Sequence, residues 1–409
     1  MTQKLYRAAF QVSLLLFLLH SPTGSGGPEI CSGPEGPVPP SYFGMHIHHA
    51  ASGTEWPSIP FGSWRLWDAG VSWPQLEPER GKWDFSLLDR YVKIAAERRV
   101  DILLTLGLTP TWASARPNEP SGYNMGNGAE PGNAADWEEY VRTVALRYKG
   151  VIHNYEIWNE PNAKASFTGN AATMLLLARS AYLTLKAIDS SITVVSPSAT
   201  AESGIRWLHE FVSQGGCSYS DVIGYHFYVT PAPPEAMVSL IKRVKGVIQA
   251  SSCGQKPLWN TESGWSAPKQ FGTDEEAASY LMRTYLLNWL MGIQRCYWYA
   301  WDNHNWSTLE LTSSVDNRIT SAGAAYGVIR QWVSGARLRS CSSDHSGLWV
   351  CQLDRGASTY RLIWCDHDGR AFAPPSQWHV RSISSWRGEV TKPTRTVMAG
   401  PAPLLLVCD

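Results

Sequence analysis

Tyr155-Glu-Ile-Trp-Asn-Glu-Pro-Asn162 ends an apolar-leaning run that begins at Val151. A segment that reads as a buried strand thus finishes on an amide and a carboxylate, stopped by a proline. Leu258-Trp-Asn-Thr-Glu262-Ser-Gly264 ends in the same company, with Trp and Asn ahead of the Glu. Strand candidates of this kind recur at 42–48, 64–67, 102–106, 153–158, 192–195, 222–228, 257–262 and 296–301. Helical spacing fills the gaps, as at Leu87, Leu88, Tyr91, Val92 and Ala95, or Trp137, Tyr140, Val141, Val144 and Tyr148. Further helices are predicted near 171–188, 203–214, 235–249, 275–291 and 322–333. Eight strands, each followed by a helix, over roughly 300 residues is the arithmetic of an α/β fold, the (β/α)8 TIM barrel. A doubly wound open sheet shares the alternation, but Gly44-Met-His-Ile-His-His49 is no glycine-rich phosphate turn.

The pattern changes after residue 336. Runs at 348–353, 359–364, 378–383 and 404–407 read as strands between Gly, Ser, Asp and Pro turns, with no helical stretch. The expected plan is a barrel over 41–336 and a small all-β, sandwich-like domain over 337–409. Residues 26–40, rich in Pro and Gly, read as a linker. Residues 1–25 read as an export signal: Lys4 and Arg7 precede an apolar stretch centred on Leu14–Leu19, although no A-x-A cleavage site follows. Eight cysteines in an exported chain favour disulfides, and Cys341 with Cys351 and Cys365 with Cys408 are the pairings guessed. Lys plus Arg and Asp plus Glu both number 35, which gives no pull toward nucleic acid or an anionic membrane. A secreted or periplasmic protein is expected, with no membrane partner once the signal is removed; oligomeric state is silent.

In a (β/α)8 barrel the working residues gather at the C-terminal ends of the strands. Glu160 and Glu262 both fall there, on the fourth and seventh strands. Two opposed carboxyl groups suit acetal hydrolysis, in which one protonates the departing oxygen while the other attacks the anomeric carbon or activates water. By parity Glu156, Trp158 and Glu160 should point into the barrel and Asn159 away, unless the strand leaves regular pleating near Pro161. His46 and His48 share a face that His49 does not, and no H-E-x-x-H accompanies them. They are read as contacts to sugar hydroxyls rather than metal ligands, and no cofactor is expected. Of the 20 tryptophans, those at 67, 112, 265, 301 and 306 fall at strand ends or in the loops beyond, where an indole can stack on a pyranose face. Asp68 reads as no more than a loop cap.

Trp158-Asn-Glu-Pro161, the glutamate closing the seventh strand, and Tyr225-His-Phe-Tyr228 on the sixth resemble the clan A glycoside hydrolases. Trp64-Arg-Leu-Trp-Asp68, Trp83-Asp-Phe85, Leu106-Gly-Leu-Thr-Pro-Thr-Trp112 and Tyr155–Asn162 bring the chain nearest to family 39. That family holds β-xylosidases and α-L-iduronidases, and exopolysaccharide endoglycosidases are related to it. The resemblance covers about residues 40–335. It implies a retaining glycosidase with Glu160 as acid/base and Glu262 as nucleophile. Asn159 would bind the hydroxyl beside the anomeric carbon, Arg65 and Tyr228 would support the nucleophile, His226 would bind substrate and Trp301 would be the sugar platform. Such a division needs the Glu160 pKa raised, by burial against Trp158 and by the second carboxylate, with Glu262 kept ionised. The substrate class is an oligo- or polysaccharide. A non-catalytic sugar-binding barrel and a transglycosylase are the alternatives.

Overall fold

The computed structural model describes residues 33–367 and 369–409; the expected signal, the start of the linker and Cys31 lie outside the described residues. Nine parallel strand segments form one curled sheet: β1 (Phe43–Met45), β2 (Ser63–Leu66), β3 (Asp101–Leu106), β4 (Asn154–Ile157), β5 (Thr193–Val195), β6 (Ala199–Thr200), β7 (Ile223–His226), β8 (Leu258–Ser263) and β9 (Cys296–Trp298). β5 and β6 are successive pieces of one stave broken at Pro197, so the barrel has eight staves. It closes where Val195 bridges Val222, with the Val222 N–H donating to the Val194 carbonyl at 3.2 Å. The expected (β/α)8 barrel is the fold found.

A loop without a helix joins β1 to β2, and helices follow every later stave: α1 (Trp73–Leu76) and α2 (Ser86–Arg98) after β2, then α3 (Ala134–Arg147), α4 (Ala171–Ile188), α5 (Gly204–Ser213), α6 (Ala236–Gln249), α7 (Asp274–Leu290) and α8 (Ser321–Val333). Side-chain caps set several starts: Asn133, Asn170, Thr273 and Thr320 each accept from a backbone N–H in the first turn. Outward residues of the staves pack under these helices, as Trp64 does against Tyr91. The barrel interior is layered. Leu103, Val195, Val222, Trp259 and Tyr297 form an apolar plug. Arg65, Thr105, Glu156, Ser198 and Thr261 make a separate polar layer, all buried.

The C-terminal residues form a six-stranded antiparallel sheet: β10 (Arg337–Ser343), β11 (Leu348–Arg355), β12 (Ser358–Cys365), β14 (Val380–Ser384), β15 (Val390–Thr391) and β17 (Leu404–Cys408). A two-stranded pair, β13 (Arg370–Phe372) and β16 (Val397–Ala399), accompanies it. Alternation along β12 sends Leu362 and Trp364 to the barrel core and Ile363 and Cys365 to a small second core. Trp349 and Trp364 stack at 5.0 Å in the shared core, and Trp386 is buried there too. Trp378 lies in a 3-10 turn before β14, not in a strand as expected.

Cys341 and Cys351 are bonded across the β10–β11 ladder, and Cys217 is bonded to Cys253. Cys365 and Cys408 are not bonded to each other, which corrects the second guess. The β12–β17 register sets Cys408 opposite Thr359, six residues from Cys365, so the two thiols lie about 20 Å apart along the strands.

Candidate active site

Arg65 organises the site. It lies on the inward face of β2, fully buried, and its guanidinium spends its donors on three partners. Nε donates to Glu156 Oε2 at 2.6 Å, Nη1 to Glu262 Oε2 at 2.7 Å and Nη2 to Asn159 Oδ1 at 2.7 Å. Glu156 also accepts from Thr105 at 2.6 Å and from Ser198 at 2.5 Å. The Arg65 charge, with the His226 and hydroxyl donors, holds the Glu156 carboxyl below its ordinary value against the opposing effect of burial. Glu156 was anticipated only by its parity on β4.

The end of β4 departs from regular pleating. Trp158 and Glu160 have φ of 62° and 45°, the left-handed region that costs a non-glycine residue about 1–2 kcal/mol. Trp158 therefore does not face the barrel interior as parity suggested. It packs outward on Phe167 and Trp137, with its indole N–H on the Ser166 carbonyl at 3.0 Å. Asn159 turns in to Arg65 instead. The segment is pinned by the Glu160 N–H on the Ser198 carbonyl at 3.0 Å.

Glu262, on β8, accepts from the Tyr228 hydroxyl at 3.0 Å as well as from Arg65. Burial and the Glu262 charge push the Tyr228 phenol well up, so it remains a donor. His226, at the end of β7, sits between the two glutamates. Its Nδ1 is 2.9 Å from Glu160 Oε1 and 3.8 Å from Glu262 Oε1. Its Nε2 is buried without a partner among the described residues, which places the proton on Nδ1, where it is used. One oxygen of each glutamate and a His226 nitrogen all lie within 4.8 Å of one another. These are also donor types that could hold a metal ion.

The charge balance differs from expectation. Burial raises the Glu262 carboxyl above its ordinary value, with His226 and Arg65 opposing. Glu160 is partly buried, which raises its carboxyl, yet the hydrogen bond from His226 brings it below the ordinary value. The two carboxyls are thus pushed in opposite directions, Glu262 up by burial and Glu160 down by His226. The reason is geometric: Trp158 has turned away, and His226 donates to Glu160.

The three N-terminal histidines diverge. His46 is fully buried, its Nε2 3.2 Å from the Thr261 carbonyl and its ring 5.1 Å from that of Tyr299. His48 lies 5.0 Å from the same ring, and the backbone N–H groups of His48 and His49 both donate to the Asp302 carboxylate. Burial, then the Arg65 charge, drives the His46 pKa well below its usual value, and burial lowers His48 despite Asp302. The unfolded chain therefore takes up protons near pH 6.5 that the folded chain refuses. The stability from these two groups is present above about pH 6.5 and is lost as pH falls below it, each contributing up to about 1.4 kcal/mol per pH unit. Melting temperature is expected to drop between pH 7 and 5 as these two histidines are driven to take up protons. His46→Gln should flatten that slope, which differential scanning calorimetry reads; an unchanged slope contradicts a neutral His46.

Two expected stacking residues are elsewhere. Trp301 is buried with its backbone on His46 and Thr312, and it lines a separate cavity with Trp56 and Asp316. Trp112 packs edge-on to Trp73 under the Arg80 guanidinium, its N–H on the Glu77 carbonyl. The aromatic wall of the site is Tyr299, with Trp306 at 5.4 Å from both the Tyr299 and Tyr228 rings. Tyr299 was missed because β9 ends at Trp298, so parity counted on to residue 301 fails. Asp68 accepts from the Tyr299 hydroxyl at 2.8 Å and lines a cavity of about 300 Å3 with Trp67, Gln75, Tyr123 and Asn124.

A barrel with two glutamates facing across its C-terminal rim, one gripped by an arginine and a tyrosine, has the pair of opposed carboxyl groups that glycoside hydrolysis uses. Residues 127–326 match the family described as glycosyl hydrolase catalytic core, and residues 67–133 match that described as beta-galactosidase. A β-xylosidase of Caldicellulosiruptor saccharolyticus is 29% identical over 146 residues, which is 32% of this chain and 30% of that protein. The chain thus spans less than a third of that relative's length. A family 39 glycoside hydrolase from Bacteroides cellulosilyticus superposes with a TM-score of 0.73 at 18% identity, covering 91% of this chain and 81% of the other. A monomeric β-xylosidase from Caulobacter crescentus gives 0.67 at 16% identity, over 92% and 98%. A family 30 xylanase from Talaromyces cellulolyticus gives 0.62 at 11%, over 94% and 99%. By sequence the chain is thus similar to glycosyl hydrolase catalytic cores and to a β-xylosidase, and it shares the fold of family 39 and family 30 glycoside hydrolases.

Proposed function

We propose that this chain hydrolyses O-glycosidic bonds of an oligo- or polysaccharide with retention of configuration, Glu262 acting as nucleophile and Glu160 as acid/base. The observation that carries the reading is the approach of the two carboxyl groups, with oxygens within 4.8 Å. Double displacement uses carboxyl groups about 5–5.5 Å apart, whereas inversion needs about 6.5–9.5 Å to admit water. Arg65 and Tyr228 hold Glu262 from two sides and fix its attacking direction.

A bound sugar places its glycosidic oxygen at Glu160, where it competes with His226 Nδ1 for the carboxyl group. Glu160 then holds the proton, and Glu262, with its donors from Arg65 and Tyr228, is the anion. Glu262 attacks the anomeric carbon while Glu160 protonates the leaving oxygen, giving a glycosyl ester. Glu160, now the base, deprotonates the incoming water, which releases the sugar and restores Glu262. Asn159 turns its carbonyl oxygen to Arg65, leaving its amide N–H groups for the hydroxyl beside the anomeric carbon. Tyr299 stands beside the site, with the buried His46 and His48 packed against its ring. The disulfides support a site of action outside the cytoplasm. An acceptor sugar in place of water would make the same residues a transglycosylase, which product analysis separates.

Proton NMR during the first minutes of hydrolysis tests the stereochemistry. The first-formed anomer is expected to match the substrate, mutarotating later; the opposite anomer sinks double displacement.

A further inference from the structure

Asp68 carries a charge that the proposed reaction does not use. It takes φ of 55°, which turns its side chain into the mouth of the barrel. One carboxylate oxygen accepts from the Tyr299 hydroxyl, which itself accepts from the Asn303 amide at 2.9 Å. The phenol proton is thereby committed to Asp68, and the other carboxylate oxygen has no partner among the described residues. The cavity it lines, about 300 Å3, contains no Lys or Arg side chain.

No other cation offsets this charge. The Arg65 guanidinium is fully engaged by Glu156, Glu262 and Asn159. His46 and His48 are kept neutral by burial. On the long loop after β3, Arg116 is tied to Glu119 and Glu130. The mouth thus presents Glu160, Glu262 and Asp68 with no unpaired Lys or Arg among the described residues named around it. A carboxylate with one open oxygen is a good acceptor for a sugar hydroxyl and a poor neighbour for an anion.

We infer that the sugar bound beside the scissile bond is uncharged, that Asp68 accepts one of its hydroxyls, and that Asp68 excludes uronic acids. The inference rests on the glycosidase reading above and selects among its substrates. It separates a neutral-sugar hydrolase from one built for uronates, which would need a cation where this mouth has a carboxylate.

The test compares aryl glycosides with a common leaving group, pairing neutral hexosides and pentosides with the corresponding uronides. Short oligosaccharide pairs serve where an aryl glycoside is too small. Wild-type enzyme is expected to cleave at least one neutral member with kcat/KM about 100-fold or more above its uronide, equivalent to about 2.7 kcal/mol. Asp68→Asn keeps a side chain that tolerates the same φ and can still accept from Tyr299. It should narrow the neutral-to-uronide ratio about tenfold, mostly by lowering KM for the uronide. Wild-type cleavage of a uronide as fast as its neutral partner overturns the inference and leaves the glycosidase reading intact, as does a ratio unmoved by Asp68→Asn. Cleavage of neither member of any pair overturns the glycosidase reading and this inference with it.

Discussion

Glu262→Gln is expected to lose at least about 10²–10⁴ in turnover on every substrate, some 3–5 kcal/mol of barrier, while the barrel still folds. An amide at this position cannot form the glycosyl ester, so the quality of the leaving group makes no difference. Glu160→Gln should lose as much on natural glycosides, where the leaving oxygen needs a proton. It should keep its first step on aryl glycosides with acidic leaving groups and then stall, because no base activates water. A burst of released phenol followed by a slow phase is the expected trace for Glu160→Gln and not for Glu262→Gln. The same pattern from both variants, or near-normal turnover in either, removes the assignment of roles. The contrast is informative because both side chains share His226 as a neighbour, so a general disturbance of the site would affect them alike.

Arg65→Met should cost about 3–5 kcal/mol of stability as well as activity. The guanidinium is fully buried between the Glu156 and Glu262 carboxylates, and its loss leaves two buried anions without their cation. Removing one anion along with it should recover part of that loss, so Arg65→Met with Glu156→Gln is expected to be more stable than Arg65→Met alone. Arg65→Lys keeps the charge but cannot serve three acceptors in a planar fork, and it should fold with its activity reduced. Denaturant unfolding of the four proteins completes the comparison. An Arg65→Met protein as stable as wild type contradicts the central place of this network.

Much of this was legible in the chain before folding. Periodicity placed the eight staves and seven of the helices, with α4 at 171–188 as expected, because each element must bury a face against its neighbour; it missed the short α1, and the first stave has no helix after it. The pair Glu160 and Glu262 stood out because a carboxylate at the end of an apolar strand is costly unless chemistry or a buried cation uses it. Arg65, inside an aromatic strand, was that cation. Less was readable where backbone irregularity overrode alternation. The positive φ at Trp158 and Glu160 exchanged the facing of Trp158 and Asn159, and the end of β9 put Tyr299 in the place expected of Trp301.

The sequence by itself determined the barrel, the two carboxylates and the arginine that pairs with Glu262, since burial pattern and residue type are local properties of each strand. The tertiary structure alone decided which carboxylate His226 touches, in which direction each glutamate's pKa moves, and that Asp68 keeps one oxygen without a partner among the described residues. Those depend on distances between side chains from different staves, and a charge a few ångströms nearer or farther in a buried site outweighs anything that spacing along one strand can show.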